Sequence, residues 1–200
     1  MILNKNILFA LILGEIVGIF LIPTFLHAGI YYKISFPALT LLVVLPILFA
    51  VGMILASFIS KISTIFKQFV KFVMVGLANT SIDFGILNTL SYFTGITAGV
   101  WLLPLNSVSF AVAVTNSFFW NKFWVFELKD GGATKEFGIF IAVTAVGLAI
   151  NSAAVIFITS YFDPFFNLNA AQWENIAKIL ATFLSLIWNF TGYKFIVFKK

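Results

Sequence analysis

The sequence predicts an all-α integral membrane protein with six transmembrane helices, and three observations carry that reading. Of 200 residues, 62% are hydrophobic and only 10% charged, whereas about a quarter of the residues in soluble chains are charged. A soluble fold of this length has too little interior to hide so much apolar surface. Six apolar stretches, at approximately 7–26, 36–60, 69–92, 102–126, 137–161 and 175–198, reach the roughly 20 residues that a bilayer requires. The net charge of +5 rests on lysine alone, and the lysines gather at the ends of these stretches. With both termini in the cytoplasm, ten of the twelve lysines lie inside, leaving Lys33 and Lys178 outside. The positive-inside rule therefore selects that orientation, in the plasma membrane.

The first stretch resembles a signal peptide only superficially. It is long, Glu15 interrupts it, and no A-x-A site follows, so it reads as a retained anchor helix. Glu15 stands between Gly14 and Gly18, a small-xxx-small pair that lets another helix approach closely. A carboxylate at that depth must face protein or water, or be protonated. Pro46 removes a backbone donor inside the second stretch and predicts a kink. Residues 61–71, KISTIFKQFVK, read as an amphipathic segment in the inner headgroup layer or as a plain basic loop. The loops at 94–101 and 127–135 carry glycine turns. The loop at 162–174 holds Phe162, Phe165, Phe166 and Trp173, rings suited to a water–lipid boundary. His27 reads as an interfacial residue.

An internal repeat organises the second two thirds of the chain. A shift of 72 residues lays Lys122 on Lys194, pairs KFWVF with KFIVF, and carries Asn79-Thr80 onto Asn151-Ser152. The expected core is thus four helices made of two parallel helical-hairpin repeats, 66–200, preceded by an N-terminal two-helix hairpin, 1–62.

Polar residues within the spans are the candidates for function. In the third helix Gly76, Asn79, Thr80 and Asp83 share one face, and in the fourth Asn106, Ser109, Ala113, Asn116 and Trp120 do. The fifth offers Gly147, Asn151 and Ser152, and the sixth Thr182, Ser185, Asn189 and Gly192. These stripes read as turned toward a common interior, although such residues also serve as hydrogen-bonding glue between helices in lipid. Asp83 lies roughly 18 Å along its helix from Lys71, so it is either a functional carboxylate or a helix lock. Lys122 and Lys194, set among aromatic rings beside Asn121 and Phe190, either snorkel to the inner headgroups or present a paired cationic site to a phosphate.

Several chemistries are not expected. There is no Cys and a single His, so no thiolate site, metal centre or cofactor is anticipated. P-loop, GxGxxG, HExxH and serine-elbow motifs are missing from the sequence, and no enzymatic activity is anticipated. The lysine excess points to membrane orientation, not to nucleic acid.

The pieces FVKFVMVGLANTSIDFGIL (69–87), SFFWNKFWVF (117–126) and WNFTGYKFIVF (188–198), with the opening Phe137 of the fifth span, resemble the GtrA-like family of small polytopic membrane proteins. At the position of Lys122 that family often has arginine, and its common four-span form has no counterpart of residues 1–62. The resemblance implies a role in cell-surface polysaccharide assembly. Members are thought to translocate a polyprenyl-phosphate-linked sugar, or to anchor and support the glycosyltransferase that makes or uses it. A homodimer or a glycosyltransferase partner would fit so small a unit. A flippase would place Asn79, Asp83, Asn116, Asn121, Lys122, Asn151, Asn189 and Lys194 along its path. A proton-coupled small-solute transporter centred on Asp83 is the remaining alternative.

Overall fold

The computed structural model describes residues 4–27, 29, 31–59, 64–96, 102–128, 133–163 and 170–199. For some helical positions, Asn106, Asn151, Ser152, Thr182 and 170–179 among them, the backbone alone is described. The glycine turn at 131–132, most of the aromatic loop after Asp163 and residues 61–63 of the amphipathic stretch lie outside the described residues.

Among the described residues the chain is helical, in six long elements. They are α1 (Lys5–His27), α2 (Pro37–Ile59), α3 (Thr64–Thr94), α4 (Leu102–Trp120), α5 (Ala133–Tyr161) and α6 (Ala170–Gly192). The first three are long and apolar enough to cross a membrane, with mean hydropathies of 2.4, 2.8 and 1.4. Large apolar side chains such as Leu55, Phe58, Leu148 and Phe183 stay more than half exposed, as lipid-facing residues do.

Sequence punctuation sets the helix ends. Pro37 sits in the first turn of α2 and Pro104 in that of α4, where a missing N–H costs nothing. Gly95 closes α3 in the left-handed conformation at φ 71° and donates its N–H to Ser91 O at 2.9 Å. Residues 64–71 are the first two turns of α3, continuous with the span, and form neither a separate headgroup-layer segment nor a loop. At Pro46 the chain answers with a π turn over Thr40–Val44 just upstream. That wider turn accommodates a ring that would otherwise meet the carbonyl four residues back.

The chain divides into two compact units, Met1–Glu127 and Leu128–Lys200. In the first, α1 packs on both α2 and α3, and α3 packs on α4. The small residues of α1 make the α1–α2 contact possible. A Cβ on Gly14 would lie 2.5 Å from Pro46 Cα, and one on Gly18 would strike the Leu41 carbonyl. Close approach also joins α1 to α3, where a Cβ on Gly85 would lie 2.5 Å from Phe20 O. Thus the N-terminal hairpin is the bed on which α3 rests. In the second unit α5 and α6 form a hairpin. Gly192 receives Val143, and Trp188 Nε1 donates to Val143 O at 3.0 Å.

The two C-terminal hairpin ends share an unusual feature. Helix α4 continues into a π turn over Asn121–Val125, and α6 into a π turn over Tyr193–Val197. The 72-residue shift carries one onto the other, including the closing bonds Phe126 N–H to Asn121 O (2.9 Å) and Phe198 N–H to Tyr193 O (2.8 Å).

Backbone atoms cannot retreat as side-chain tips do. Gly85→Leu should therefore destabilise the protein by about 1–3 kcal/mol. Gly76, also in α3 but with open space at its Cβ, should tolerate Ala or gain about 0.5–1 kcal/mol. Melting temperatures in detergent check the contrast; equal shifts for the two variants would refute this packing.

Candidate functional site

At the N-terminal end of α3 a buried cation organises the first unit. Lys71, 2% exposed, donates from Nζ to Glu127 Oε1 at 2.8 Å and to Trp124 O at 3.1 Å. The same ammonium lies 5.5 Å from the centroid of the Trp124 ring. Trp124 Nε1 in turn donates to Asn6 Oδ1 of α1 at 3.0 Å, and Phe9 meets Trp120 and Trp124 edge-on. Glu127 reaches Lys71 from a left-handed backbone at φ 56°, a costly conformation for a residue with a Cβ. Lys71, Trp124, Asn6 and Glu127 were not candidates from sequence, because their partnership runs between residues up to 118 apart.

Lys122, the second residue of the π turn over Asn121–Val125, is 3% exposed. Its Nζ lies 5.9 Å from the Phe118 centroid and 5.8 Å from that of Phe123. Lys194, at the equivalent place in the π turn over Tyr193–Val197, lies 5.9 Å from Phe190 and 5.5 Å from Phe195. Each lysine is therefore held within cation–π range by the ring four residues before it and the ring that follows.

Deeper in the first unit, Asp83 Oδ1 accepts a 2.7 Å hydrogen bond from Ser109 Oγ, joining α3 to α4. Asn121 is fully buried; its Nδ2 donates to Ser117 O at 2.8 Å and lies 3.3 Å from Ser117 Oγ, while Oδ1 has no partner. Asn79 Oδ1 and Asn116 Nδ2 are likewise sealed from solvent without a hydrogen bond. Such orphaned polar atoms are costly in an apolar interior, and they are the atoms that a polar ligand would satisfy. The α3 stripe is only partly interior, since Thr80 is exposed and Gly76 faces open space. The α4 stripe is better covered: Ser109 is fully buried and Ala113 1% exposed.

In the second unit the Asn189 side chain lies directly against Gly147, where a Cβ would collide with Oδ1, and that Oδ1 is buried without a partner. One π turn further on, Tyr193 OH pairs with Thr144 Oγ1 at 2.6 Å and its ring stacks on Phe140 at 4.4 Å. The Asn151 side chain lies outside the described residues. Among the described residues there is no group of three His, Cys, Asp or Glu placed to hold a metal.

Helices with exposed apolar flanks, interior amides and ring-clamped lysines define a helical membrane protein with a polar interior. The chain belongs to the family described as the GtrA/DPMS transmembrane domain, which matches residues 71–198. It is 29% identical over 132 residues to YngA, an uncharacterised membrane protein of Bacillus subtilis (strain 168), a match covering 66% of this chain and 80% of that one. No solved structure matches.

The Lys71 network is asymmetric, because Lys71 is buried while the Glu127 side chain is 61% exposed. Removing the carboxylate with Glu127→Gln should cost about 0–1 kcal/mol. Lys71→Ala should cost more, about 1–3 kcal/mol, because it strands the Trp124 carbonyl and opens a void. Thermal unfolding of the purified protein would reveal the reverse order if this assignment were wrong.

Proposed function

We propose that the protein is a six-span, non-enzymatic carrier in the cell membrane that moves a polyprenyl-phosphate-linked sugar between leaflets for cell-surface glycan assembly. The observation that carries this reading is the pair of equivalent lysines, Lys122 and Lys194, each fixed by two phenylalanine rings inside a π turn. A buried cation such as Lys122, 3% exposed, attracts a phosphate more strongly than one on a flexible surface, and Lys194, half-buried, stands at the equivalent place. π turns recur at functional sites because they re-aim side chains within a helix. The unpartnered amide atoms of Asn79, Asn116, Asn121 and Asn189 offer both donors and acceptors for sugar hydroxyls. Asn151 and Asp83 complete the path, Asp83 through the carboxylate oxygen that Ser109 does not engage. The lipid tail stays in the bilayer throughout, which suits a protein whose outer faces are apolar.

The test is transbilayer movement of a short-chain polyprenyl-phosphate sugar in proteoliposomes. Lys122→Ala with Lys194→Ala should slow it by about tenfold or more, equivalent to about 1.4 kcal/mol. Lys122→Arg with Lys194→Arg, which keeps both charges, should retain most of the rate. A wild-type rate in the double alanine variant removes the phosphate role. Should wild-type protein not accelerate movement at all, but co-purify with a glycosyltransferase whose activity depends on it, the supporting-subunit role takes its place.

A further inference from the structure

The ends of α1 and α3 remote from Lys71 bound a cavity of 650 Å³, within the range of about 300–1,000 Å³ usual for small-molecule sites. We propose that this cavity binds a neutral, hydroxylated ring, the sugar head of a lipid-linked saccharide. The inference rests on the carrier reading for the lipid to which the ring is attached, and on the cavity's own chemistry for the ring.

The opening follows from the packing below it. Helices α1 and α3 meet backbone to side chain at Phe20 and Gly85, and the cavity is lined by residues one or two turns beyond that contact on both helices. Tyr32, Tyr92 and Phe93 line it, and they are 82%, 75% and 79% exposed. Rings left this open present flat apolar faces, the surface against which the C–H face of a sugar stacks.

The polar groups favour hydroxyls over phosphate. The cavity lies at the last turns of two helices, α1 ending at His27 and α3 at Thr94. Leu26 O and Ser91 O are already capped by the Gly29 and Gly95 N–H groups, but both turns carry the negative pole of a helix dipole, which attracts hydrogen-bond donors and repels anions. Asn88 Nδ2 already donates to Phe84 O at 2.8 Å, and Thr89 Oγ1 donates to Gly85 O at 2.7 Å. Asn88 keeps its carbonyl oxygen and a second amide N–H, and Thr89 keeps its hydroxyl lone pairs, so the pair offers both an acceptor-rich edge and a donor. No Lys, Asp or Glu is among the described lining residues. With the His27 imidazole and the Asn88 amide each able to donate and accept, the lining suits an uncharged ligand whose groups do both and whose C–H face stacks on aromatic rings, which is a sugar ring.

Saturation-transfer NMR on the full-length protein in phosphatidylcholine nanodiscs tests this, with octyl β-glucoside, octyl phosphate and octanol as probes and empty nanodiscs subtracted. The ring protons of the glucoside should receive saturation from the wild-type protein. Transfer should fall about fivefold or more in the Asn88→Ala, Tyr92→Ala double variant and in Leu26→Trp, which fills the cavity. Octyl phosphate should show weaker transfer than the glucoside. Equal transfer to all three probes would make the cavity a simple apolar slot and overturn the proposal, as would absence of ring transfer in folded wild-type protein. Loss of flipping in the lysine variants with glucoside binding intact would bear on the carrier reading alone. Loss of glucoside binding with flipping intact would bear on this site alone.

Discussion

A charged side chain inside a hydrocarbon-facing helix must find compensation within the protein, and this constraint governs the surroundings of the lysines in each unit. Lys71 meets it with a carboxylate, a backbone carbonyl and an indole face. Lys122 and Lys194 meet it in part with phenylalanine rings. The difference matters chemically. A carboxylate neutralises its partner and ends the matter, whereas a ring quadrupole stabilises a cation without discharging it. Lys71 therefore serves architecture, pinning the end of α4 to α3.

That architecture depends in turn on the N-terminal hairpin. Asn6 holds Trp124, whose carbonyl receives Lys71, and Gly85 lets α1 lie against α3. The hairpin is thus tied to the π turn over Asn121–Val125 at one end and to the middle of α3. The second unit ends in the same kind of turn with no Lys71 equivalent, since the 72-residue shift places Val143 there. Instead Val143 supplies the carbonyl that accepts from Trp188, and Tyr193, standing where Asn121 does in the first unit, pairs with Thr144. The two hairpins reach the same turn through different bonds, as diverged copies would.

The sequence made the helices legible because lipid enforces them: with no water to satisfy backbone groups, an apolar run of span length folds as a helix. The small-residue contact at Gly14 and Gly18 was legible for the same reason. The repeat was visible in KFWVF and KFIVF, yet the π turns it marks were not, because a one-residue widening leaves no trace in an apolar periodicity. Asp83 was singled out correctly as a residue needing a partner, but Ser109 as that partner required knowing how α3 and α4 face each other. Lys71 was read as an orienting charge at the end of an amphipathic headgroup-layer segment or basic loop, whereas it is buried. Its buried pairing with Glu127 joins residues 56 apart, a distance over which local pattern carries no information. The cavity beside His27 was missed because its aromatic residues resemble an ordinary interfacial belt until two helix ends are seen to enclose them.

The two ends of the first unit differ in a way that constrains any passage between them. From Lys71 to Asn88 is 17 residues of continuous helix, roughly 26 Å at 1.5 Å per residue. That is several times the width of one sugar ring. On the proposed carrier reading, a phosphate beside Lys122 and a ring in the cavity would therefore be successive positions of a headgroup, not one bound pose. Between them α3 offers Asn79 and Asp83, about one turn apart, with Asn116 and Ser109 on the neighbouring α4. On that carrier reading, lysines, then a stretch of amides with one carboxylate, then an aromatic cavity would engage the charged and the hydroxylated parts of a sugar phosphate in turn. If no point along that route held both parts at once, release of the cargo would follow from the spacing itself.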